Sequence, residues 1–133
     1  MKSADESRRL PESELDIMLV GWEIAGEDGS VTPPQIAGRL DRPLTASALH
    51  SYLRRLEEKG FLRCEKQGRT NGCRPLVTRA EYQRRAGRRM LDKLYAGSLR
   101  GFAAALYDGG NLTPEDVAQL RAYLDTLEET VEC

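Results

Sequence analysis

Leu49, Tyr52, Leu53 and Leu56 fall at i, i+3, i+4 and i+7, the spacing of one apolar helix face. Ser47, His50, Ser51 and Arg54 fall on the opposite face. Thr45 can cap the start, and Gly60 stands where a left-handed C′ residue belongs, so one amphipathic helix is predicted over 45–60. Upstream, Leu15, Met18, Leu19 and Trp22 repeat the same spacing and predict a helix over about 11–25. Pro11 suits its first turn, Ser13 with Asp16 has capping-box spacing, and the helix should end before the EDGS turn. Between these two segments, Thr32, Pro33 and Gln35 form a compact start signal. The short helix it opens, about 33–41, should bury Ile36, Ala37 and Leu40, and Asp41-Arg42-Pro43 should stop it.

After Gly60 the period changes. FLRCEKQGRTNGCRPLV carries two extended runs with turn signals at Gly68 and at Asn71-Gly72, which predicts a β-hairpin directly behind the 45–60 helix. Arg63, Lys66, Arg69 and Arg74 decorate it. Thr78 and Glu81 then form another capping-box pattern, opening a helix to about Ala96 with Tyr82, Ala86, Met90, Leu91 and Leu94 on one side; Gly97 should stop it. SLRGFAAALY is a further short helix with Leu99, Phe102, Ala103 and Leu106 in register, closed by Gly109-Gly110. From Thr113-Pro114 onward, Val117, Leu120, Leu124, Leu127 and Val131 step by three and four, the seam of a coiled coil.

These elements define a mainly α chain with a small β-hairpin: a winged helix-turn-helix followed by a C-terminal helical dimerisation unit. The expected division is a flexible N-terminus over 1–9, a winged-helix DNA-binding domain over 10–78 and a helical dimerisation domain over 79–133. A three-helix tail has too little interior for its own apolar faces, and a second copy of the chain would cover them. The alternative is that the seam packs back on its own domain. In a symmetric homodimer the two 45–60 helices could reach half-sites about 34–36 Å apart.

Charge sharpens this reading through its distribution. The 133 residues hold 20 basic and 21 acidic side chains. Residues 79–100 hold 7 basic against 2 acidic, whereas 101–133 hold 1 against 7. The balanced total is neutral on nucleic acid, so the basic hairpin and the polar helix face carry that inference. Ser47, His50, Ser51 and Arg54 are groups that reach phosphates and base edges, with Arg54 the best suited to bidentate contact with guanine. Thr45 and the helix N-terminus favour a phosphate, and Arg55, Arg69 and Arg74 are expected backbone contacts.

At this point the chain resembles the penicillinase-repressor (BlaI/MecI-type) transcriptional regulators. LPESELDIM, LHSYLRRLEEKGFL, EKQGR followed by PLVTRAEY, and KLYAGSLRGFAAAL with LTPEDVAQL carry the likeness, in the family's order over residues 10–128. The resemblance implies a dimeric winged-helix repressor on a dyad-symmetric, double-stranded DNA operator, with Leu99, Phe102, Leu106, Val117, Leu120, Leu124 and Leu127 in the dimer unit. It also implies relief by proteolysis within the fifth helix, at Gly101–Phe102, triggered by a membrane-embedded sensor metalloprotease. Members known to be cut carry Asn where this chain has Gly101. Copper-responsive relatives end in paired Cys-x-Cys motifs, whereas this chain has only Cys133 at its end.

The three cysteines lack metal-ligand spacing and fit a reducing cytoplasm; no secretory signal and no apolar run of about 20 residues is found. If the hairpin turns at Gly68-Arg69, Cys64 and Cys73 face each other at a non-hydrogen-bonded pair and could form a redox-sensitive wing. A turn at Asn71-Gly72 would break that register. Catalysis is not expected: His50 is the sole histidine, and GEDGS and YDGGN are not phosphate loops. No metal or cofactor is expected. The competing class is a winged-helix module that binds protein rather than DNA.

Overall fold

A computed structural model of the chain describes residues 10–26 and 29–132, with side chains up to residue 129. The N-terminal segment 1–9, residues 27 and 28 of the EDGS turn, the Val131 side chain and Cys133 lie outside the described residues. In chain order the elements are α1 (Glu12–Ala25), α2 (Pro33–Arg39), α3 (Ala46–Glu58), β1 (Leu62–Gln67), β2 (Thr70–Pro75), α4 (Arg79–Tyr95), α5 (Leu99–Asp108) and α6 (Pro114–Glu132). The chain divides into two compact units, Met1–Ala86 and Gly87–Cys133.

The first unit is a winged helix: three helices, then a two-stranded antiparallel hairpin. Its fully buried side chains are Ile17, Met18, Val31, Ile36, Leu56, Phe61 and Cys73. Leu49, Leu53 and Leu56 of α3 are buried as their spacing requires, with Tyr52 half-buried beside them. Helix α2 starts on a full capping box: Gln35 N–H donates to the Thr32 hydroxyl, and Thr32 N–H donates to Gln35 Oε1 at 2.8 Å. Thr45 caps α3 by accepting from Ala48 N–H at 3.0 Å.

Helix α1 departs from its expected form in two ways. Pro11 is the N-cap, so Ser13 already lies inside the helix and no side-chain cap bond forms. Its buried stripe is Glu14, Ile17, Met18, Gly21 and Trp22, and Leu19 is exposed. The stripe is rotated because α1 packs on α2, α3 and β2 together, and Gly21 leaves room for Val31 (an added Cβ would stand 3.8 Å from Val31 Cγ1). Leu19 instead lines a shallow cleft with Leu40 and Leu44. Ala37 is likewise exposed, because the seven-residue α2 turns mainly Ile36 into the core.

The end of α3 fixes the route into the hairpin. Gly60 has φ +84°. Gly60 N–H donates to the Glu57 carbonyl and Phe61 N–H to the Leu56 carbonyl, the paired bonds of a Schellman motif. Phe61 then enters the core, its ring edge-on to Tyr82 with centroids 5.8 Å apart, and Tyr82 in turn faces Trp22. Trp22 Nε1 donates to the Val77 carbonyl at 2.8 Å, so the residues after the hairpin are fastened to α1. Glu14 is 2 % exposed. It receives Lys59 Nζ at 2.7 Å, pairing a charge that would be costly to bury alone.

In the second unit, α4 ends at Ala96 (φ 51°) and Gly97 (φ 78°). Ser98 caps α5 by accepting from Gly101 N–H, and Thr113 with Asp116 caps α6 reciprocally. Hydrogen bonding of the carboxylate to the Thr113 N–H first, and to its side chain second, holds the Asp116 carboxyl below the usual carboxylate range. None of the described side chains of α4, α5 or α6 is fully buried. Leu94, Leu99 and Tyr107 are all more than 60 % exposed.

Gly60→Ala tests the turn. No atom lies within 4 Å of an added Cβ there, so the penalty is conformational, about 1–2 kcal/mol. Urea unfolding should show a lower midpoint with unchanged slope, and Gly60→Asn should lose less than Gly60→Ala.

Candidate nucleic-acid interface

Helix α3 turns one face fully into the core, and that leaves the other free. Ser47, His50, Ser51 and Arg54 are all exposed and, with Arg55 and Glu58, line one open concave surface. Ser47 to Arg54 spans roughly 10 Å along the axis at ~1.5 Å per residue, about three base-pair steps of ~3.4 Å. The row therefore offers two hydroxyls, an imidazole and a guanidinium over the length of a short recognition sequence. Glu57 and Glu58 on the same helix give the face mixed charge, which favours selective contact over general adhesion to phosphate.

Thr45 is exposed at the helix start, with its hydroxyl oxygen already accepting from Ala48 N–H; its own O–H remains available to donate. Arg55 sits to one side of the row, its guanidinium 5.7 Å from the Tyr52 ring centre.

The hairpin stands directly behind this helix. Its register pairs Gln67 with Thr70 across Gly68-Arg69, and Gly68 has φ +66°, the pattern of a type II′ turn. The Asn71-Gly72 turn is thereby excluded. Arg69 is exposed at the tip. Side chains alternate along the ribbon. Leu62, Cys64, Lys66, Asn71, Cys73 and Pro75 share one face; Arg63 and Arg74, directly opposed, share the other. Arg63 is held by Glu65 at 2.9 Å. Arg74 thus lies near the hairpin root, on the face away from Cys64 and Asn71.

Cys64 and Cys73 are register partners and are joined by a disulfide, with Cα atoms 4.0 Å apart. Two residues from the closing Gln67–Thr70 pair lies a hydrogen-bonded pair, so 64–73 is a non-hydrogen-bonded one. The Cys73 N–H and carbonyl consequently point away from β1, and both bond to Val31, at 2.7 and 2.8 Å. Cys73 is fully buried, whereas Cys64 is half-buried. A cleft of about 170 Å³ joins this pair to the polar face of α3, lined among others by His50, Arg54, Glu57, Cys64, Asn71 and Cys73. Asn71 was not singled out from the sequence as a functional residue. The only signal for it was the hairpin register, which sets it on the Cys64 face.

The residues expected at the dimer interface lie on α5 and α6. Leu99, Val117, Leu120, Leu124 and Leu127 are exposed, and Phe102 and Leu106 are half-buried. The Gly101–Phe102 bond lies in the first turn of α5, and the Phe102 ring packs on Tyr95 with centroids 5.2 Å apart. No group of three or more metal-binding side chains occurs among the described residues.

A family model described as Penicillinase repressor matches residues 10–126. An uncharacterized 16.5 kDa protein in the ptsI 3′ region of Latilactobacillus sakei is 27% identical over 98% of this chain and 90% of its own length. Among solved structures, an ArsR-like transcriptional regulator from Rhodococcus sp. RHA1 aligns over 73% of this chain and 81% of its own, at 23% identity and a TM-score of 0.40.

Proposed function

The chain belongs to the penicillinase repressor family, and on that premise we propose that it is a homodimeric repressor that holds a dyad-symmetric DNA operator through α3 and the hairpin wing. The family is one of winged-helix transcriptional regulators, not of enzymes. The observation that carries the finer reading is the division of α3. Leu49, Leu53 and Leu56 lock one side into the core, so Ser47, His50, Ser51 and Arg54 are presented in a fixed orientation. In this reading the row enters the major groove, with Arg54 on a guanine edge and the serines on bases or phosphate. Thr45, Arg55, Arg69 and Arg74 hold the backbone.

Dimerisation is supported by the second unit. The seam residues Val117, Leu120, Leu124 and Leu127 each remain more than a third exposed, an apolar stripe that a second copy would cover.

We extend the proposal to relief by cleavage at Gly101–Phe102 by a membrane sensor metalloprotease. A glycine inside the first helical turn weakens that turn, and a protease needs it unwound. Action on an operator places the protein in the cytoplasm; among the described residues no helix is long and apolar enough to cross a membrane.

Two variants separate the assigned roles. On an operator duplex, Arg54→Ala should lose about 1–3 kcal/mol of discrimination against a changed base. Arg69→Ala should weaken all duplexes alike and lower the salt slope by about one. Anisotropy titrations at two salt concentrations read both. Full operator affinity in both variants would remove the groove assignment, and affinity insensitive to salt would favour a protein-binding module. For the dimer, Leu124→Asp should yield a monomer in sedimentation and lose roughly 100-fold or more in affinity for a two-half-site duplex.

A further inference from the structure

The Cys64–Cys73 pair is built into the most constrained part of the hairpin. Cys73 cannot yield: its side chain is fully buried and both its backbone polar groups are bonded to Val31. Cys64 can yield, being half-buried on β1 at the cleft shared with His50, Arg54 and Asn71. Bonded sulfurs stand ~2.05 Å apart, and unbonded heavy atoms need roughly 3.5–4.0 Å. Opening the bond therefore displaces a sulfur by more than about 1 Å. Close packing around Cys73 passes that displacement to Cys64 and its strand. The strand that moves is the one facing the helix row assigned to the groove.

We propose that Cys64–Cys73 is a thiol–disulfide exchange site at the wing root, which reacts with low-molecular-weight disulfides and sets DNA affinity through the position of the wing. This rests on the DNA-binding reading given above. In the forward direction the Cys64 thiolate attacks one sulfur of a small disulfide RSSR, forming Cys64–S–SR and expelling one RS⁻. The Cys73 sulfur, giving up its proton, then attacks Cys64 and expels the second RS⁻. The two protons released by the cysteines convert both leaving groups to RSH, so the dithiol is oxidised and RSSR is reduced to two RSH. Both cysteines line the cleft, and attack begins at Cys64 because it is half-buried where Cys73 is fully buried; Cys73 then resolves the mixed disulfide from the interior.

The bonded form holds β1 against β2 beside the helix face, so the wing meets DNA already ordered. In the reduced form β1 stands displaced and must be drawn back on binding, which weakens affinity by about tenfold. Breaking the bond leaves the fold intact, because the ladder, the Val31 bridge and the Phe61 core remain.

The test uses the full chain with Cys133→Ser, equilibrated in glutathione buffers of graded ratio, with alkylation and peptide mass spectrometry to follow the 64–73 link. Anisotropy on a random-sequence duplex and on any selected operator gives the affinity of each state. The expected result is a reversible 64–73 link and a roughly tenfold tighter Kd in the linked form. Cys64→Ser should bind like the reduced chain at every ratio. Absence of the link at all ratios, or equal Kd with and without it, overturns the exchange site while leaving the DNA reading intact. Absence of duplex binding in both states overturns the DNA reading and this inference together.

Discussion

Phe61 ties together three parts of the first unit. Its N–H closes the Schellman turn on Leu56, its carbonyl accepts Leu76 N–H at 2.7 Å, and its ring is wholly buried against Tyr82. The end of α3, the return strand of the hairpin and the first turns of α4 are thereby fixed to one point. Burying a phenylalanine contributes about 1.5–3 kcal/mol, and here the same residue also satisfies two backbone groups. The φ of Gly60 makes this possible, because a left-handed residue is what redirects the chain from helix axis to core.

With that point fixed, the chemistry of the surface follows. Helix α3 cannot rotate without exposing Leu49, Leu53 and Leu56, so its polar row faces outward in one orientation. The hairpin cannot slide without moving Cys73 off Val31. Helix and wing are therefore presented together, in a chain that belongs to the penicillinase repressor family of winged-helix transcriptional regulators. The second unit differs in kind. Its helices are well capped by Ser98 and by the Thr113–Asp116 box, yet their apolar side chains remain at the surface. Local signals are satisfied there, and burial is what a further chain would add.

Much of the fold was legible because local signals and tertiary packing agreed. The Thr32–Gln35 box, the Thr45 cap, the Gly60 turn and the α3 stripe all stand where their residues place them. The hairpin register was open between turns at Gly68-Arg69 and at Asn71-Gly72, and the structure decides it: Gln67 pairs with Thr70, and of the two candidate glycines only Gly68 takes a positive φ. Most of what failed was decided by neighbours distant in sequence. One failure was local: Ser13 and Asp16 have the spacing of a box, but the N-cap is Pro11, two residues too early for it. Leu19 and Ala37 have apolar side chains at helical spacing, but the packing of several elements on α1, and the shortness of α2, turn them outward. Asn71 shares the cleft with His50 and Arg54 only because two elements converge there, and no periodicity along one segment reports such a meeting.

The central claim is that α3 of each of two paired chains reads one half of a symmetric DNA site. Selection of bound duplexes from a random pool, read out by sequencing, tests it most directly. The account predicts a dyad-symmetric consensus whose half-site centres are separated by about 10–10.5 base pairs or a multiple of that. Recovery of no consensus, or of a single asymmetric site, would contradict it.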